Sequence, residues 1–473
     1  MVKVISFSLW GSLDRYTLGA VKNAKLAKKF YPDFECWFYI HRESVPSEIV
    51  SELLKLDNAK VILKEGDLNT CRPMMWRFET IDDENVEVNM SRDLDSRVCF
   101  REKVAVDEWL KSKKLFHIMR DHPHHACRIM RGMFGTRKIP SVTSWCELIN
   151  KVEQQGDKNY DKEFLWNNIY PQIEDSVVIH ATFGKLEGDK CKEFPVVYEE
   201  DYKFIGEYIF EDDSRSQPHI NDLKDHYKGE VKNVKLLHMI SSFFSYKNTK
   251  YPKDSENERF NEIKWTLLKN LDCVFIEKIH LFVDDNEDLE VLRQITSDNV
   301  NKDKIIIAKI GKQPKYCDFF DYIINNIDDK ICMITNSDIY LKDLEYRLIN
   351  ELDKNNCVYA ITRHEPEMWE RGEIVGYWGS HDSYIFKSSS INESILHDSH
   401  THFTQNYHGI ESRIVSAFVN LGLKVLNPYT QIICIHVHKS GVTILGQGWV
   451  GLHRCGSEEE FINSVWNCPL VYL

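Results

Sequence analysis

The sequence predicts two α/β domains in tandem, each a mixed, mostly parallel sheet flanked by helices. Three observations predict it. Strand and helix patterns alternate from residue 2, and the same grammar restarts near residue 233. Each run carries an acidic motif after an apolar or mixed strand: Arg92-Asp93-Leu94-Asp95-Ser96-Arg97 in the first, Asn336-Ser337-Asp338-Ile339-Tyr340 in the second. A chain of 473 residues also exceeds one domain of roughly 100–200 residues.

In the first run, residues 2–9 read as a strand. Leu18, Val21, Ala24, Leu26 and Ala27 recur at helical spacing, which predicts a helix over 16–30. A strand follows at 35–40. Pro46 and Ser47 open a helix over 47–56, and 60–63 is the third strand. A helix over 101–110, a strand from 115 running into a polar cluster at 120–125, and a late strand at 176–180 complete this half. In the second run, strands are expected at 234–241, 278–283, 304–310 and 331–335, with a helix over 260–271. Residues 212–232 are polar, with Ser214, Ser216, Pro218 and Gly229. The expected division is therefore 1–215, a linker at 216–232, and 233–473.

Hydrophobic residues make up 42% and charged residues 28%, an ordinary globular balance. The net charge of −13 argues against non-specific nucleic-acid binding. No apolar run approaches the ~20 residues that span a bilayer. Thirteen cysteines without a Cys-x-x-Cys pair suit free thiols in a reducing compartment. These features together suggest a cytoplasmic protein.

An acidic residue at the carboxyl end of a sheet strand sits where α/β proteins bind ligands. A hard cation there takes oxygen ligands and bridges diphosphate oxygens. Asn336-Ser337-Asp338 alone reads equally as a turn after a strand. Its context is more specific. Ala360-Ile361-Thr362-Arg363 follows, then His381-Asp382-Ser383-Tyr384-Ile385-Phe386, then Gly409-Ile410-Glu411-Ser412-Arg413, and at last His436-Val437-His438. This order resembles a family of GT-A-type glycosyltransferases of viral, bacterial and algal origin, which are Rossmann-like. Its members carry an Asn-Ser-Asp-Ile-Tyr-Phe strand end, an Arg after a short strand, a Gln-Asp-Ser/Ala-Trp-Ile-Phe strand, a Gly-Cys-Asp-Asn-Arg helix start and a late His-x-His. The resemblance covers about residues 234–445. Here His381 replaces the Gln, Ile410-Glu411-Ser412 replaces Cys-Asp-Asn, and Leu341 replaces the Phe.

The resemblance implies that Asp338 holds the metal and that Asn336 orients it or binds ribose. Tyr316 and Asp318 would hold the base, and Arg363 would join the donor pocket. Asp382 would face the acceptor as general base. Glu411 and Arg413 would bind sugar or acceptor. His436 and His438 share a strand face, and one or both would complete the metal sphere.

In the first run, Asp93 and Asp95 would share a face if they end a strand, as one cation requires. Arg92 and Arg97 flank them with charge suited to phosphate. Ser91-Arg92-Asp93, Arg101-Glu102-Lys103-Val104-Ala105-Val106-Asp107-Glu108-Trp109 and Phe116-His117-Ile118-Met119-Arg120-Asp121-His122-Pro123 resemble a second bacterial and viral group of glycosyltransferase-like proteins. The match spans about residues 4–137. It implies that Asp93 and Asp95 bind metal and that Asp121 is the acceptor-facing base. Arg97, Lys103, Arg120 and His122 would line the donor pocket, with Arg92 beside them. His180 would be the third metal ligand.

The expected function is a bifunctional transferase that uses a UDP-linked or other nucleoside-diphosphate sugar with Mn²⁺ or Mg²⁺. Its acceptor could be a glycan, a protein or a modified base, and its oligomeric state is open. A second reading makes one half, the C-terminal one by preference, a silent sugar- or partner-binding module. A third reads His117, His122, His124 and His125 as a zinc hydrolase, although no third and fourth ligand spacing stands out. Trp76, Trp145, Trp369, Trp378 and Trp449 are candidates to stack on sugar faces.

Overall fold

Apolar runs such as 2–9 and 34–41 have few polar positions on either face, so they suit the middle of a sheet covered on both sides. The computed structural model describes residues 1–138, 144–151, 160–245, 253–366, 381–405, 407 and 409–438, with backbone only at 253–257. The chain divides into two units, Met1–Val234 and Lys235–Leu473.

The first unit has strands β1 (Val2–Leu9), β2 (Phe34–His41), β3 (Ala59–Lys64), β4 (Val86–Arg92), β5 (Phe116–Arg120), β6 (Met133–Arg137), β7 (Val177–Ala181) and β8 (Cys191–Lys192). They form one sheet in the order β3-β2-β1-β4-β6-β5-β7-β8. All neighbours run parallel except β6, which is antiparallel to both β4 and β5.

The second unit has β9 (Leu237–Phe243), β10 (Ile276–Val283), β11 (Ile305–Lys309), β12 (Ile331–Thr335), β13 (Ile339–Leu344), β14 (Cys357–Thr362), β15 (His381–Lys387), β16 (Lys424–Leu426) and β17 (Ile432–His436). Seven of them form a sheet in the order β11-β10-β9-β12-β15-β14-β16, with β15 antiparallel to β12 and β14. Seven strands of the first sheet have the same order and the same single reversed strand. The fold class read from the sequence is therefore observed in both halves. The second unit adds a separate two-stranded ribbon, β13 with β17.

In each sheet the order reverses beside the first strand, between β1 and β4 and between β9 and β12. That is a topological switch point, and the crevice outside the strand ends there is the natural ligand site. Local packing aims the acidic motifs at it. On the helix Asp14–Phe30, a Cβ at Gly19 would fall 2.1 Å from the Leu94 carbonyl oxygen. Only glycine lets the helix backbone press against the Asp93–Asp95 turn so closely.

Residues 216–232 are not a free linker. They contain the helix Gln217–His226, which belongs to the first unit. Leu223 is fully buried with Tyr198 and Phe204, and Pro218 stands in the first turn, where no helical hydrogen bond is lost. The polar composition reflected one exposed helix face. All eleven described cysteines are free thiols, and no described helix is long and apolar enough to cross a membrane.

The first unit is tied together around Asp121. This carboxylate is 0% exposed and bridged by Arg101 through two bonds, Nε to Oδ2 at 2.9 Å and Nη2 to Oδ1 at 2.8 Å. Tyr198 Oη (2.7 Å), Thr182 Oγ1 (3.1 Å) and the Ile205 N–H (2.9 Å) donate to it as well. The Arg101 guanidinium lies between the rings of Phe194 and Tyr198. Removing one partner leaves the other charge buried and alone, at a cost of about 3–5 kcal/mol. Asp121→Ala should therefore shift the first transition in urea denaturation to much lower urea. An unmoved midpoint would contradict this role.

Candidate functional site

In the second unit the pairing of β13 with β17 assembles the site. Ile339 is paired with His436, and the Val437 N–H donates to the Asp338 carbonyl at 2.8 Å. This register carries His436 and His438, 98 and 100 residues downstream in sequence, back to Asp338. His436 Nε2 lies 3.2 Å from Asp338 Oδ2 and His438 Nδ1 3.8 Å from it. The two rings stack with centroids 5.3 Å apart. The donor atoms of Asp338, His436 and His438 thus lie within 4.8 Å of one another.

The network continues from there. His436 Nδ1 is 3.2 Å from Glu365 Oε1, and Glu365 pairs with Arg363 Nε at 3.3 Å. Arg363 Nη1 donates to Asp382 Oδ2 at 3.1 Å, and Asn336 Nδ2 donates to Asp382 Oδ1 at 3.0 Å. Asp338, Asn336, Arg363 and Asp382 thus form one continuous polar cluster at the carboxyl end of β12. A crevice beside it is lined by Ser241, Ser242, Phe243, Asn336 and Ser337. Burial alone would raise the Asp338 carboxyl, but His436, His438 and Arg259 hold it well below the usual range. Burial would likewise lower His436, yet Asp338 and Glu365 push it up to about 9.

Two members were not foreseen. Glu365 orients His436 through its far ring nitrogen, as carboxylates do behind metal-ligating histidines. It stands two residues after the Arg363 already singled out. Arg259 donates from Nη2 to Asp338 Oδ2 at 2.5 Å and from Nη1 to His438 Nδ1 at 2.7 Å. Its guanidinium thus supplies the positive charge beside the acid. Nothing in the local pattern of the helix Lys253–Asp272 marks it.

Tyr316 is 2% exposed, its ring packed in the core with Phe319, Phe320 and Tyr384, and its hydroxyl feels the charges of Glu411 and Asp382 in the cluster. Asp318 caps its own helix, accepting from the Lys315 N–H at 2.7 Å, and pairs with Lys312. The Arg413 guanidinium covers the Phe403 ring, 4.6 Å from its centroid. Glu411 does stand by the cluster: burial first, and then the Asp382 charge, push its carboxyl up to about 7.

In the first unit, Asp93 and Asp95 are close enough to interact. Burial and the Asp93 charge push Asp95 up to about 6. The cations expected beside them are each held by other partners, although Arg92 still acts on Asp93 and Arg97 on Asp95. Arg92 is 3% exposed and bound to Glu102 at 2.8 Å. Arg97 holds the Leu94 and Ser96 carbonyls and faces Asp213. Lys103 pairs with Asp107, and Arg120, fully buried, with Glu187. Asp121 is saturated by Arg101, Tyr198, Thr182 and Ile205 and has no lone pair left for an acceptor. His180 hydrogen-bonds His117 at 2.8 Å on β7, with β6 and β5 between it and β4. Three strand spacings put it about 14 Å from the Asp93 turn, too far to share its ion. His122 makes its ring contacts with His124, His125, Phe204 and His219.

The other cations acting on this turn are Arg77, Arg131 and Arg15. Arg77 Nη1 binds Asp93 Oδ1 at 2.6 Å. Arg131 pairs with Asp161 and adds its charge to that of Arg77 in lowering Asp93. Arg15, laid over the Tyr208 ring, acts on Asp95. Arg15 opens the helix after β1, a switch-point position, which is the one signal that could have found it. On β6's side, Gly132 faces Asp93: a Cβ there would meet Asp93 Oδ2 at 2.1 Å. The corresponding flank in the second unit carries Asp382.

Trp76 and Trp145 are buried in the first unit's core. Trp369, Trp378 and Trp449 lie outside the described residues.

No family model and no curated protein matches the chain. Solved structures do. A mannosyltransferase from Pyrobaculum calidifontis in complex with GDP-Man and Mn²⁺ is 9% identical, with 49% of this chain and 68% of that chain covered at a TM-score of 0.30. A glycosyltransferase involved in the glycosylation of the major capsid of PBCV-1 is 14% identical, over 38% and 82%, at 0.26. A 4-diphosphocytidyl-2C-methyl-D-erythritolsynthase from Anaerococcus prevotii DSM 20548 is 12% identical, over 49% and 95%, at 0.27.

Glu411 gives a pH test of the cluster. A carboxyl raised from 4.5 to about 7 in the folded state contributes stability below the unfolded value that is lost as pH rises through 7. Glu411→Gln should match the wild type in melting temperature near pH 4 and exceed it near pH 8. Parallel curves across that range would contradict the placement.

Proposed function

We propose that the second unit is a metal-assisted glycosyltransferase acting on a nucleoside-diphosphate sugar, UDP-linked by preference. The single observation that carries this is Asp338, His436 and His438 held at the switch point of the sheet and joined through Glu365 and Arg363 to Asp382.

The residues fit a divalent cation. One carboxylate and two imidazoles offer donor atoms within 4.8 Å of one another, a mixed oxygen and nitrogen set that suits Mn²⁺ better than the all-oxygen preference of Mg²⁺. Glu365 behind His436 fixes which ring nitrogen faces the site. When bound, the cation neutralises charge on the departing nucleoside diphosphate. Arg259 now supplies the positive charge at Asp338 and would turn toward the diphosphate oxygens when a cation takes its place. Asp382 keeps one oxygen on Asn336 and one on Arg363. A carboxylate so placed could take the proton of an acceptor hydroxyl as a general base. Glu411, half-buried beside it, offers a second contact for sugar or acceptor.

The first unit is read as a non-catalytic sugar-binding module. Its acidic turn and its Arg15, Arg77 and Arg131 suit a phosphorylated sugar ligand. No carboxylate stands where Asp382 does, because Gly132 occupies that flank. This departs from the expected bifunctional transferase and from the second reading, in which the C-terminal half was the silent one by preference.

Diphosphate release from UDP- and GDP-sugars with Mn²⁺ tests the reading. Asp338→Ala and His436→Ala should lower turnover by at least about 10²-fold, as expected for loss of a group that stabilises leaving-group charge. Asp95→Ala should leave hydrolytic turnover within a few-fold. Full turnover in Asp338→Ala would overturn the proposal.

A further inference from the structure

Four histidines and one aspartate of the first unit converge away from the sites described above. His122 and His124 follow β5, whereas His219, Asp222 and His226 recur along one face of the helix Gln217–His226. Donor atoms of His122, His124 and Asp222 all lie within 4.8 Å of one another. His124 Nε2 is 3.1 Å from Asp222 Oδ2, and His226 Nδ1 is 3.2 Å from Asp222 Oδ1. The His219 ring stands 5.7 Å from those of both His122 and His124. His122 Nε2, 3.0 Å from the His219 carbonyl oxygen, aims its ring at the helix.

Hydrogen bonding alone does not explain the arrangement. Asp222 Oδ2 is shielded from water, yet accepts no well-aligned hydrogen bond. An acceptor left so costs free energy unless something else binds it. Imidazoles with one carboxylate are the donor set of zinc, and its tetrahedral habit needs only one further ligand. Hard ions such as Mg²⁺ would prefer more oxygen than the cluster offers.

We propose that His122, His124 and Asp222 form a zinc site, with the fourth position open to His219 or water. The ion pins the helix Gln217–His226 to the loop after β5, directly beside the Asp121 ion pair. Its ligands come from two elements about a hundred residues apart in sequence, so it closes a long loop of the first unit. The site is separate from the Asp338 cluster and does not depend on the function proposed for it.

The test uses the full chain, stripped with a chelator and titrated with Zn²⁺ against a chromophoric competitor. Co²⁺ substitution supplies a second readout through its visible d–d bands. Asp338→Asn, which removes the second cluster of the same donor set, should still take up one Zn²⁺, and the following variants are made in that background. His124→Ala and Asp222→Asn should each weaken that binding by more than about tenfold and abolish the cobalt bands. The His124 side chain is 63% exposed, so its removal should leave the circular dichroism spectrum unchanged. Absence of stoichiometric binding would overturn the proposal. So would equal binding by Asp338→Asn and by the same chain carrying His124→Ala and Asp222→Asn as well.

Discussion

A charge removed from water must be paired, and the allocation of those partners decides what each half of this chain can do. In the first unit, Glu102, Asp107, Asp121, Asp161 and Glu187 are largely or fully buried, and each takes an arginine or lysine. Cations that look suited to phosphate in the sequence are therefore spent on the fold. In the second unit the buried Asp338 is met by two histidines and by Arg259. Histidines can give up a proton to a metal, whereas arginines cannot. That difference in partner chemistry leaves one acidic strand end among histidines and the other an arginine-rich turn.

The two units share a strand order, and what separates them is a small addition. The β13–β17 ribbon brings a late segment of chain back against the residue after β12. Without such a ribbon, the late histidine of the first unit stays on its own strand and pairs with His117. Both histidines there are fully buried, and burial and the neighbouring ring hold His117 well below its usual range. A fold thus fixes where a ligand can sit, but the side chains at the switch point decide what is done with it.

Much of the architecture was legible because its signals are local. The strands at 2–9 and 331–335 have the bounds expected, and the other strands differ by only a few residues at their ends. Asp338, Asn336, Asp382, Arg363, His436 and His438 were legible through the order of their motifs. Glu365 and Arg259 were not, since second partners of a histidine or a carboxylate leave no period or spacing to read. The first-unit cations were misread for a related reason. Sequence shows that Arg92 and Arg97 flank Asp93 and Asp95, but along a strand neighbours face opposite sides, so Arg92 turns into the core toward Glu102. The linker was misread because a helix with one exposed face has the composition of a loop.

The central claim is that Asp338, and not the Asp93–Asp95 turn, is where the donor's cation is held. Electron paramagnetic resonance of Mn²⁺ titrated into the full chain with UDP tests it directly. The account predicts one bound Mn²⁺ in the wild type and in Asp95→Asn, and its loss in Asp338→Asn. Mn²⁺ retained in Asp338→Asn but lost in Asp95→Asn would contradict it.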